Sequence, residues 1–238
     1  MSIFPWTRRS RKLAKNHVPS PAQALEITLR SDVRQIIADI GNVALRSTIS
    51  DEVLREVPIL NFVVAAGRMI RTVQDILLVK KLIFFLTEIE STTLDERIAF
   101  LSKAAENKKV SEDFGSLILT VLVRIEETTK AKLIGLVFRK MVLGTLSQDI
   151  GTRIILIIEK AFWADLVEMG TIHESKILES IDLVNAINPL GILMDLDMGV
   201  LLGGSGKGYP GSYEINPIGK VLIEVLKQYF SRKEEGST

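Results

Sequence analysis

Apolar residues recur along most of the chain at spacings of three and four, the period of helices with one buried face. A first helical region is expected from about Ala22 to Arg46. Val33, Ile36, Ile37 and Ile40 lie at helical spacing there, and Ser31 is expected as an N-cap within it. Ser50, Asp51 and Glu52 open a short helix that stops at Pro58, because proline disfavours helix in the residue before it. The longest helical stretch is expected from about Ile59 to Glu90, in one or two pieces. Thr93 with Glu96 forms a capping box that starts a helix reaching about Asn107. Lys108 and Lys109 make a polar break, and Ser111 with Glu112 and Asp113 starts the next helix, its acids at the positive end of the dipole.

Thr128 and Thr129 mark a junction before a helix from Lys130 to Leu143, closed by Gly144. Ser147 caps the next helix, expected to run on to Met169 and Gly170. From Ile154 to Trp163 that segment is apolar on nearly every side except Glu159 and Lys160, which predicts a central place in a bundle. The pattern then changes. Glu174 to Ala186 reads as helix, interrupted by Asn188-Pro189. Val200–Leu202 and Tyr213–Ile215 read as two short strands around the glycine-rich stretch Gly203 to Gly211. Asn216-Pro217 is a helix start, cap plus first-turn proline. Leu222, Ile223, Val225, Leu226 and Phe230 then form a buried face.

The predicted fold is mainly α: a helical bundle with a small C-terminal winged-helix-like α+β module. The expected division is a basic tail over 1–20, a bundle over 21–170 and the module over 171–238. The closing phrase Tyr213-Glu214-Ile215-Asn216-Pro217-Ile218-Gly219-Lys220-Val221-Leu222 resembles the strand-then-helix end of many winged helices. A broader resemblance is to a family of uncharacterised bacterial helical proteins. It is carried by that phrase, by Val57-Pro58-Ile59-Leu60 with Leu78-Val79-Lys80-Lys81-Leu82, and by Lys130-Ala131-Lys132-Leu133-Ile134-Gly135-Leu136-Val137-Phe138. The resemblance covers most of residues 50–230. It implies a bacterial origin and a helical domain with a wing-like end, and it implies no reaction.

Composition narrows the function classes. With 238 residues, 47% hydrophobic and 25% charged, the chain is long and apolar enough to bury a core. The absence of cysteine excludes disulfides, zinc thiolate sites and cysteine nucleophiles. No apolar run reaches the ~20 residues of a membrane span, and the basic start is not followed by a secretory core. A cytoplasmic protein is therefore expected, with peripheral contact at a membrane as a further location.

Net charge is +1 overall, but Arg8, Arg9, Arg11, Lys12 and Lys15 give the first twenty residues all of their charge. Phe4 and Trp6 beside them suit an anionic surface, either as a membrane anchor or against nucleic-acid phosphate. Lys207 in the glycine-rich loop is a further candidate for such contact. Arg68, Arg71 and Lys80 fall roughly on one helix face next to Lys81; a solvated face paired with Asp75 and Glu88 accounts for them.

Enzyme chemistry finds no constellation. Around Gly206-Lys207 a phosphate loop would need glycine where Leu201 stands and Ser or Thr where Gly208 stands. His17 and His173 lie in no metal-ligand or triad pattern. Asp195 and Asp197, with Asp182, make at most part of an oxygen-ligand set. No catalytic residue, metal or cofactor is expected. The leading expectation is a non-catalytic helical adaptor that binds another protein or a second copy of itself. The alternatives are a winged-helix DNA-binding regulator using Lys176, Lys207 and Lys220, and a membrane-associated effector in bacterial conflict or phage defence.

Overall fold

The computed structural model describes residues 20–45, 73–105, 108–171, 190–195 and 213–235. The described part is mainly helical, as the periodicity predicts. Its elements are α1 (Pro21–Leu29), α2 (Val33–Leu45), α3 (Val73–Ile89), α4 (Leu94–Ala105), α5 (Lys108–Arg124), α6 (Lys130–Val142), α7 (Gln148–Lys160), α8 (Trp163–Thr171), β1 (Leu193–Asp195), β2 (Tyr213–Ile215) and α9 (Pro217–Glu235). The chain divides into two compact units, residues 1–123 and 124–238.

In the first unit, α1 packs against α2 and α4, and α2 against α3. The expected helix over 22–46 is two helices. Ser20 opens α1 through a capping box with Gln23, each backbone N–H donating to the other's side chain at 3.3 and 3.0 Å. The cap of α2 is Asp32 and not Ser31. The Asp32 carboxylate accepts from the N–H groups of Arg34 and Gln35 at 3.0 and 3.3 Å. A carboxylate at this position also suits the helix dipole. Ser31 instead turns back and donates to the Ile27 carbonyl at 2.7 Å.

Helix α3 buries Val79, Leu82, Phe85, Leu86 and Ile89, the i, i+3, i+7 rows that the sequence pattern offers. Each such side chain contributes about 1.5–3 kcal/mol by leaving water. The Thr93–Glu96 capping box forms as expected, at 2.7 and 3.2 Å. Helix α5 starts at Lys108, three residues before the expected Ser111 cap. The two lysines read as a break therefore belong to its first turn. The stretch 46–72, including the expected short helix at 50–58, lies outside the described residues.

In the second unit, α9 packs against α6, α7 and α8, and α6 against α7. Leu133, Ile134, Val137 and Phe138 of α6, Ile154, Ile155 and Ile158 of α7, and Leu222, Ile223, Val225 and Leu226 of α9 are buried. Gly144 ends α6 with φ +71°, a backbone conformation that glycine reaches without strain. Ser147 caps α7 through the Ile150 N–H at 3.4 Å. The expected single helix from Ser147 to Met169 is broken at Ala161, whose extended backbone (φ −66°, ψ 145°) separates α7 from α8.

Strands β1 and β2 pair antiparallel, with Leu193 opposite Ile215, Met194 opposite Glu214 and Asp195 opposite Tyr213. The strand at Tyr213–Ile215 and the helix start at Asn216-Pro217 are where the sequence puts them. The partner strand lies at Leu193–Asp195. The expected strand at 200–202, the glycine-rich loop and the helix expected over 174–186 lie outside the described residues.

Candidate functional site

A cation withdrawn from water costs several kcal/mol unless hydrogen bonds and opposite charge compensate, so a buried cation marks a place with a job. Among the described residues, three cationic side chains are buried: Lys81, Arg97 and Lys130.

Lys130 opens α6. Its ammonium donates to the carbonyl of Glu159 at 3.1 Å and to that of Ala161. Those are orphan acceptors at the C-terminus of α7, which no intrahelical N–H reaches. Burial pushes the Lys130 amine below its ordinary value, against the opposing pull of Glu126, Glu127 and Glu159. Glu159 itself pairs with Arg124 at 3.6 Å.

Arg97, in the first turn of α4, does the same with a planar fork. Its Nε donates to the Leu29 carbonyl at 2.8 Å, one Nη to the Thr92 carbonyl at 2.6 Å, and the other Nη to the Ser31 carbonyl at 3.1 Å. It thereby ties the end of α1 to the turn that follows α3. Burial lowers its pKa, and Asp32 and Glu96 oppose that shift.

Lys81 of α3 donates to the Val123 carbonyl in the last turn of α5 at 3.4 Å, and burial lowers its pKa too. Each buried cation thus sits at the negative end of another helix. The bonds of Arg97 and Lys130 run to main-chain carbonyls and, for Arg97, to the Thr92 hydroxyl as well. Groups held this way fasten helices together.

The residues singled out from sequence fall mostly elsewhere. Phe4, Trp6, Arg8, Arg9, Arg11, Lys12, Lys15, His17, Arg68, Arg71, His173, Lys176, Asp182, Asp197 and Lys207 all lie outside the described residues. Lys80 is exposed while Lys81 turns inward, so the two neighbours do not share the solvated face expected of them. Asp195 ends β1 opposite Tyr213. Among the described residues, no group of three or more His, Asp or Glu side chains is placed to hold a metal ion.

Sequence reasoning missed the corner between α7 and α8. Phe162 stands there 78% exposed, the barest large apolar side chain among the described residues. Beside it, Trp163 meets Tyr229 and Phe230 of α9 at centroid separations of 6.3 and 6.1 Å, and those two rings meet each other edge-on at 5.2 Å. Comparison with protein-family models, with curated proteins and with solved structures gives no match. The corner must therefore be read from its own chemistry. An exposed ring beside an aromatic cluster offers apolar area and shape for docking. The signal for it was Asp165, an acid at the third position of a new helix rather than deep inside an old one.

Proposed function

We propose that this chain is a non-catalytic helical adaptor that docks a protein, or a second copy of itself, through the corner around Phe162. The observation that carries the reading is the exposure of Phe162 next to the Trp163, Tyr229 and Phe230 rings. Aromatic residues are enriched in the cores of protein interfaces, where a few such anchors supply most of the binding energy. Burying one Phe side chain contributes about 1.5–3 kcal/mol, a factor of about 10 to 150 in affinity. The test compares wild type with Phe162→Ser by light scattering after size exclusion and by co-purification from a bacterial lysate. Wild type is expected to self-associate or to retain a specific protein, and Phe162→Ser to lose it while keeping its thermal midpoint. A wild-type protein that stays monomeric and retains nothing overturns the reading.

A second reading, a winged-helix DNA-binding regulator, draws support from the β1–β2 ladder running directly into α9. The N–H of Asn216 donates to the Ile192 carbonyl at 2.9 Å, which joins the helix start to the chain entering β1. In this reading the segment over 171–238 is the winged-helix-like module, and Lys176, Lys207 and Lys220 meet phosphate. A gel-shift titration at low salt, where phosphate contacts are strongest, decides it: no shift ends the proposal. The membrane-associated alternative rests on residues 1–15, outside the described residues, and on a helix over 59–86, of which the described part, residues 73–86, belongs to α3. Among the described residues, no helix is long and apolar enough to cross a membrane.

A further inference from the structure

We draw no further inference here: the strongest candidate beyond the α7–α8 corner, the outward face of α3 with exposed Ile76 and Leu77 beside Lys80, is an unpartnered apolar face, and nothing in the structure shows what covers it.

Discussion

Replacing Lys130 with Met tests whether a buried amine holds the break between α7 and α8. Methionine keeps most of the apolar stem and removes the donor. Two carbonyls, those of Glu159 and Ala161, then lose their partner. A buried polar group left unsatisfied costs about 1–3 kcal/mol, so the two together cost about 2–6 kcal/mol. Against this, the variant no longer strips water from an ammonium, a saving of several kcal/mol when the cation is poorly compensated. Glu126, Glu127 and Glu159 offset part of that penalty but burial outweighs them, so the saving cancels part of the loss. A net loss of about 2 kcal/mol is expected, read as a lower urea midpoint at unchanged slope. Hydrogen exchange should speed up locally at residues 159–163. The pH dependence supplies an independent check. Burial lowers the amine's pKa in the folded state, so between that value and the unfolded 10.5 the unfolded chain binds more protons. Wild-type stability must therefore rise with pH across that window. The neutral amine still has two N–H donors for its two carbonyls, so the gain is not undone by lost bonds. Lys81 contributes a rise of the same sign, so Lys130→Met flattens the slope without abolishing it. A midpoint equal to wild type together with an unchanged slope just below pH 10.5 refutes the clasp.

Arg97→Met should destabilise the first unit by about 3 kcal/mol in urea titrations, because three carbonyls, at the end of α1 and in the turns after α1 and α3, lose their donor together. Arg97→Lys should recover less than half of that loss, since an ammonium cannot reproduce the planar fork. Gly219→Ala removes a helix glycine, worth about 1 kcal/mol in its favour, yet the new methyl would lie 2.9 Å from the Ile192 carbonyl oxygen. Overpacking against backbone costs about 1–3 kcal/mol, so calorimetry should show a lower melting temperature, not a higher one. Asn216→Ala should cost about 1–2 kcal/mol, through loss of the side-chain acceptor for the Ile218 and Gly219 N–H groups at 3.0 Å each. An Asn216→Asp variant keeps that acceptor but loses the Nδ2 donor to the Gly191 carbonyl at 2.9 Å, and should recover only part of it.

Helix starts were legible because their chemistry is local. Thr93 with Glu96, Ser147, and Asn216 with Pro217 each signal within four residues, and each forms where expected. Helix ends and breaks were harder. Apolar residues run at helical spacing through Leu25, Leu29, Val33, Ile36 and Ile40, so the spacing does not mark the boundary, and the expected cap, Ser31, lies one residue too early. Geometry chose the carboxylate. Beyond Lys160 the pattern continues through Phe162 and Leu166 with no glycine or proline to punctuate it, and the sequence reads as one helix. The break at Ala161 has its partner in Lys130, thirty-one residues earlier in the chain. Leu29 and Ser31 have theirs in Arg97, more than sixty residues later. No window of local pattern contains such pairs.

The same non-local bonds bear on the search for a site. A buried lysine with a depressed pKa is, by itself, a reasonable candidate for proton chemistry or for anion binding. What separates function from fastening is the identity of the acceptors. Catalytic amines face a cavity and a substrate, whereas the Lys130 amine faces two carbonyls that close a helix. The Arg97 guanidinium likewise spends its donors on Leu29, Ser31 and Thr92. Their work is done inside the fold, and it has an outward consequence. The Lys130 amine bonds the break at Ala161, and the next residue, Phe162, projects into water. If the clasp is what sets that exposure, a Phe162-dependent complex should weaken in Lys130→Met even though Lys130 is buried and touches no partner. Binding measured well below the variant's urea midpoint would separate this from global unfolding. An unchanged affinity would show that the corner holds its shape without the amine.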